Sequence, residues 1–126
     1  MIRLGTKFPL VVVESPFAGD QGRNIRYARA CVRHSLSIGE SPIASHLLLA
    51  QPGILDDSIP SERNLGMSAG RAWIPVCNKV AFYIDFGMSP GMKQALANCS
   101  HRISFRKLPE ACRPAGVAVL IMIVLG

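Results

Sequence analysis

Residues 76–98 read VCNKVAFYIDFGMSPGMKQALAN. Val76 to Asp85, with KVAFYID at its centre, carries the β-branched and aromatic side chains of a strand. Phe86-Gly87-Met88-Ser89-Pro90-Gly91 breaks that pattern as a glycine-containing loop. Met92 to Asn98 then starts a helix, with Pro90 near its first position. The same order is written near the start of the chain. Phe8 to Val13 is a short apolar run that predicts a strand buried on both faces. Residues 14–22, ESPFAGDQG, form a second loop with two glycines and a proline. Asn24 to Ile38 follows, with Ile25, Ala28, Val32 and Leu36 at helical spacing and Gly39 as its C-terminal stop.

Between these units, Pro42 to Ala44 predicts a short strand and Ser45 to Gln51 a helical turn or two. Residues 52–60 form a loop, and Ser61 caps a helix running to about Trp73, with Glu62 in its first turn. Ile103 to Arg106 reads as the last strand. Strands alternating with helices predict an α/β fold, a flavodoxin-like (Rossmann-like) three-layer domain with a parallel sheet. In such sheets ligands sit outside the carboxyl ends of the strands, so the loops 14–22 and 86–91 are expected to line one crevice. Residues 1–108 form the domain. Residues 109–126 are a tail in which VAVLIMIVL, residues 117–125, is too short to span a membrane and is read as a strand or an interface.

The 126 residues suit one domain, and 49% are hydrophobic against 17% charged, a globular balance. No signal-peptide pattern opens the chain and no stretch reaches membrane-span length, which predicts a cytoplasmic protein with no membrane partner. Cys31, Cys77, Cys99 and Cys112 form no CxxC pair and are read as reduced thiols, Cys31 and Cys77 as small core residues. No metal site and no cofactor are expected. The net charge of +6 attracts anions, and Arg23, Arg26, Arg29 and Arg33 form a stripe that is either a solvated face or an anion-steering patch. With eight aromatic residues the chain lacks the stacking platform of a single-strand binder, so nucleic acid ranks below nucleotides as a partner.

Gly87-Met88-Ser89-Pro90-Gly91 matches the G-x-S-x-G pattern of a nucleophile elbow. That chemistry needs an acid and then a histidine further on, whereas here His101 precedes Glu110. The loop suits anion binding better: Ser89, Gly91 and Met92 offer a hydroxyl and helix N-terminal N–H groups. In the other loop Ser15 and Gly19 are candidate ligand contacts and Phe17 a surface on which a base stacks. Asp85, ending its strand, and the neighbouring pair Asp56-Asp57 are the acids near the expected crevice, and His46 is a possible ligand contact beside an apolar run.

Several stretches resemble, in order, the nucleoside 2-deoxyribosyltransferase-like superfamily, and within it small bacterial and phage domains. They are Ser15-Pro16-Phe17-Ala18-Gly19-Asp20, Asn24 with Tyr27-Ala28-Arg29, Gly39-Glu40-Ser41-Pro42 with Ala44-Ser45-His46-Leu47, and Gly53-Ile54-Leu55-Asp56-Asp57. Arg63 with Gly66, Ala69-Gly70, and Asp85 to Met92 complete the set, which spans about residues 8 to 107. The resemblance implies a flavodoxin-like domain, a homodimer or larger oligomer, and a nucleoside or nucleotide ligand held by Ser15, Phe17, Gly19, Asp20, Asn24, His46, Ser89, Gly91 and Met92. It also implies cleavage or exchange of an N-glycosidic bond, in which a glutamate attacks the anomeric carbon. The enzymes place that glutamate in Ser-x-Gly-x-x-x-Glu, whereas here the run Ser89-Pro90-Gly91-Met92-Lys93-Gln94 ends on Ala95. Two readings therefore stand. Either Asp85, or after it Asp57, acts as the catalytic carboxylate, or the domain is a nucleotide sensor or sponge that binds without cleaving.

Overall fold

A computed structural model describes residues 7–115; the apolar run 117–125 lies outside them. The elements are β1 (Leu10–Glu14), α1 (Gln21–Ser37), β2 (Ser41–Ile43), α2 (Ser45–Leu49), α3 (Pro60–Arg71), β3 (Lys79–Tyr83), α4 (Pro90–Ala97) and β4 (Ile103–Arg106), with single 3-10 turns at Ile74–Val76 and Glu110–Cys112. The strands form one parallel sheet in the order β2-β1-β3-β4. The expected α/β, flavodoxin-like architecture is therefore present, with helices flanking a sheet whose strand order reverses between β1 and β3.

The central strands are apolar on both faces because both faces are covered. Val11 and Val13 of β1 and Ala81 and Tyr83 of β3 pack beside Tyr27 and Cys31 of α1 and against Leu108. Val12, Val80 and Phe82 point the other way, onto Ile74, Cys77, Met92 and Ala95. Cys31 and Cys77 thus take the core places expected of them. The arginine stripe divides: Arg26, Arg29 and Arg33 are exposed, while the Arg23 guanidinium lies 4.1 Å from the centre of the Phe86 ring.

Several boundaries differ from the sequence reading by a few residues, and three of the starts have a clear cause. Helix α1 starts at Gln21 rather than Asn24, because the Asp20 side chain accepts the Arg23 N–H at 3.1 Å and caps it there. Helix α3 starts at Pro60, which takes the first helical position, so Ser61 lies inside the helix and the cap position falls on Ile59. Strand β3 starts only at Lys79. Asn78 sets that start by bonding Leu10 twice, its N–H to the Leu10 carbonyl at 2.8 Å and its side-chain oxygen to the Leu10 N–H at 2.7 Å.

Candidate ligand-binding site

At the carboxyl ends of β1 and β3, where the strand order reverses, lies a cavity of about 180 Å³. Strand β1 delivers Glu14 to it, and the following loop adds Ser15, Phe17 and Ala18. That loop is shaped from behind: the Asn24 amide, fully buried, donates to the Phe17 and Ala18 carbonyls, both at 3.0 Å. Gly19, at φ +96°, supplies the left-handed turn into Asp20 and the cap of α1.

The opposite wall is the start of α4. Ser89, Pro90, Gly91, Met92 and Ala95 line the cavity. Ser89 is the N-cap: its hydroxyl accepts the Met92 N–H at 3.3 Å and its carbonyl the Lys93 N–H at 2.9 Å. Pro90 has no N–H, which leaves Gly91 as the first-turn donor facing outward. The expected meeting of the two glycine-containing loops is realised in this cavity.

Helices α2 and α3 close the sides. Ser45, His46 and Leu49 come from α2 and Ala50 from its C-cap, and α3 contributes the pairs Glu62-Arg63, Gly66-Met67 and Gly70-Arg71. Those pairs recur every four residues and so share one helix face. Gly70 permits a close approach, since a Cβ there would stand 2.7 Å from Ser45 Cβ. Arg71 donates to the Gln94 side chain at 2.8 Å, tying α3 to α4. Arg63 and Asp57 form an ion pair at 2.8 Å, and Glu62 accepts the Asp56 N–H at 3.0 Å. Beyond Phe17, Ala50, Leu55, Asp57 and Glu62, which it shares with the cavity, a more open groove of about 520 Å³ runs past Gln21, Ile25 and Gln51.

Three polar groups in the cavity lack the partners that their burial calls for. Ser15 is 5% exposed and its hydroxyl has no hydrogen-bond partner. His46 Nε2 is shut off from solvent, also without a partner, and the ring lies 4.9 Å from that of Phe17. Burial pushes this imidazole down to about 4, so it is neutral at pH 7. Glu14 shows the converse: burial pushes its carboxyl up to about 7, although the Arg71 charge pulls the other way.

Of the residues singled out from the sequence, Ser15, Phe17, His46, Asp57, Ser89, Gly91 and Met92 meet in the cavity. Gly19, Asp20 and Asn24 do not line it; they build the loop that does. Asp85 is also elsewhere. Its carboxylate accepts the Tyr27 hydroxyl and the Leu108 N–H, at 3.1 and 3.2 Å to its two oxygens. It pins the segment after β4 to α1 and does not face the cavity. Sequence reasoning passed over Glu14, taking it as the first residue of the loop 14–22. Its signal was its place, a carboxylate at the carboxyl end of a central parallel strand. Met67 and Arg71 were missed as well; they continue the four-residue spacing that starts at Arg63.

Fold and site together define a flavodoxin-like α/β domain with a cavity at its switch point, lined by the half-buried carboxyl of Glu14. Residues 9–106 match the family model described as a domain of unknown function, DUF7768, and the chain belongs to that family. The match ends on the last residue of β4. No curated protein and no solved structure matches the chain. No helix among the described residues is long and apolar enough to cross a membrane.

Proposed function

We propose that this chain binds a nucleoside or nucleotide in the switch-point cavity and cleaves or exchanges its N-glycosidic bond, acting in the cytoplasm as a homodimer or larger oligomer. The observation that carries the reading is the pair of unpartnered polar atoms inside the cavity, Ser15 Oγ and His46 Nε2. A buried polar atom without a partner costs about 1–3 kcal/mol, which a hydroxyl-bearing ligand recovers. The sugar belongs in the cavity between these atoms and the Ser89–Gly91 turn. That turn offers a hydroxyl, an N–H and the positive end of α4 to a sugar oxygen or a phosphate. The adjoining groove has room for the base, with Phe17 to stack on it and Gln21 and Gln51 to meet its polar edge.

The second reading, binding without cleavage, is favoured by one observation. Ala95, which stands where the resembled enzymes carry their glutamate, lines this same cavity with a methyl group. A thermal-shift screen against nucleosides and nucleotides, with chromatography of each stabilising compound after incubation, separates the readings. Recovery of free base is expected. A stabilising nucleotide returned intact supports the sensor, and no stabilisation by any of them removes the proposal.

A further inference from the structure

We propose that Glu14 is the catalytic carboxylate of this cavity, giving a proton to the departing nucleobase and then taking one from the water that attacks the sugar. The inference rests on the N-glycoside reading above and names the group that performs it.

Three carboxylates line the cavity: Glu14, Asp57 and Glu62. Asp57 is held by Arg63, and Glu62 by the Asp56 N–H. Glu14 has no side-chain hydrogen bond and no ion pair among the described residues, so its carboxyl is the one at liberty to engage a ligand. It is the last residue of β1 and half-buried, on the strand beside which the sheet order reverses, where ligands of this architecture sit. The position where the resembled enzymes carry glutamate is a buried alanine, so a carboxylate must act from another wall or none acts.

The surroundings suit a group that both donates and accepts. Burial holds the Glu14 carboxyl at about 7, so the acid and its conjugate base coexist near neutrality. The groups that share the cavity with it are His46 from α2, Asp57 from the preceding loop, and Glu62, Arg63 and Arg71 from α3; α4 presents uncharged side chains. His46 is neutral above about pH 4.

In the first half of the reaction the bond between the anomeric carbon and the base nitrogen breaks. Its electron pair stays on that nitrogen, which takes the Glu14 proton, and the sugar becomes an oxocarbenium ion. In the second half a water oxygen bonds to the anomeric carbon and a water proton passes to the Glu14 carboxylate. One water is consumed, free base and free sugar leave, and Glu14 is again protonated.

The test is Glu14→Gln, which keeps the shape and removes the proton. Wild-type protein and variant are incubated with ribo- and deoxyribonucleoside monophosphates, free base is measured by chromatography, and nucleotide binding by thermal shift. The expected result is a loss of about 100-fold or more in base release, an unchanged nucleotide-induced shift, and a wild-type rate that falls as pH rises through about 7. Glu14→Asp, which keeps a carboxyl, is expected to retain the pH dependence at a reduced rate and serves if the amide fails to fold. A Glu14→Gln rate within about threefold of wild type overturns the assignment. Wild-type protein that is stabilised by a nucleotide and releases no base overturns it too, while leaving the binding function standing. No stabilisation by any nucleotide removes both.

Discussion

Of the serines that line the cavity, Ser15 and Ser89 differ in what they do for the fold. Ser89 caps α4 through its hydroxyl, whereas the Ser15 hydroxyl is buried and bonds nothing. Ser15→Ala is therefore expected to leave stability within about 0.5 kcal/mol and to weaken nucleotide binding about tenfold. Ser89→Ala is expected to weaken binding and also to cost about 1 kcal/mol through the lost cap. Urea unfolding and thermal-shift titration of both variants check this; a Ser15→Ala chain as destabilised as Ser89→Ala would assign Ser15 to the fold and not to a ligand. At this scale the sequence marked Ser15 and Ser89 from the loops that hold them. It did not separate Asp85 from Glu14, because each is an acid beside a strand end. What separates them is a hydroxyl 58 positions away, that of Tyr27, which Asp85 binds and Glu14 does not.

Helix α3 makes the longest wall of the cavity, and its closeness to α2 depends on one missing methyl. An alanine at residue 70 gains about 1 kcal/mol of helix propensity over glycine, but its Cβ would stand 2.7 Å from Ser45 Cβ, two side-chain roots that cannot swing away. Overpacking of that kind costs about 1–3 kcal/mol. Gly70→Ala is expected to lower the urea midpoint and to weaken nucleotide binding, because relief comes by parting α3 from α2, which carries His46. A Gly70→Ala chain that is more stable and binds as before would show that the helices have room to part. At Gly66 the nearest atom is the tip of the Leu55 side chain at 3.1 Å, so the same change there is expected to be milder. The helix itself was legible from Ser61 and Glu62 at its start. The identity of the face turned to the cavity was not, since Glu62, Arg63 and Arg71 read as solvated polar residues until α2 and the loop 51–59 are laid against them.

Three ionisable groups tie the stability of the whole molecule to pH. Glu40 precedes β2 at one edge of the sheet and takes both terminal nitrogens of Arg106, from β4 at the other edge, at 2.7 Å. Lys79 adds an ion pair at 3.1 Å, and the Ser35 hydroxyl a bond at 2.7 Å. The Arg106 bonds above all hold this carboxyl down at about 2, so the stability it contributes is complete above its ordinary 4.5 and is lost as pH falls toward 2. Glu14 has the opposite sign: raised from 4.5 to about 7, it contributes stability that is complete below 4.5 and lost as pH rises through 7. His46, lowered from 6.5 to about 4, contributes stability that is complete above 6.5 and lost as pH falls toward 4. The last two offset one another, so the wild-type stability is expected to be nearly flat from about pH 5 to 7 and to fall below about pH 4. Glu14→Gln leaves His46 unopposed and is expected to lose roughly 2–3 kcal/mol between pH 7 and 4.5. His46→Gln is expected to gain stability over the same interval. Urea unfolding across this range measures all three slopes; parallel curves for wild type and both variants would remove the opposing pair.

By itself the sequence determined the order of strands and helices, the parallel sheet they imply and the meeting of two glycine-containing loops at one end of it. Those follow from local patterns: apolar runs of strand length, helical spacing, and glycine or proline where the chain must turn. The tertiary structure decided which acid faces the cavity, which arginines stand beside it and which serine lacks a partner. Each of those depends on the dielectric and the hydrogen-bond partners around one atom, and these are set by residues brought from distant positions in the chain.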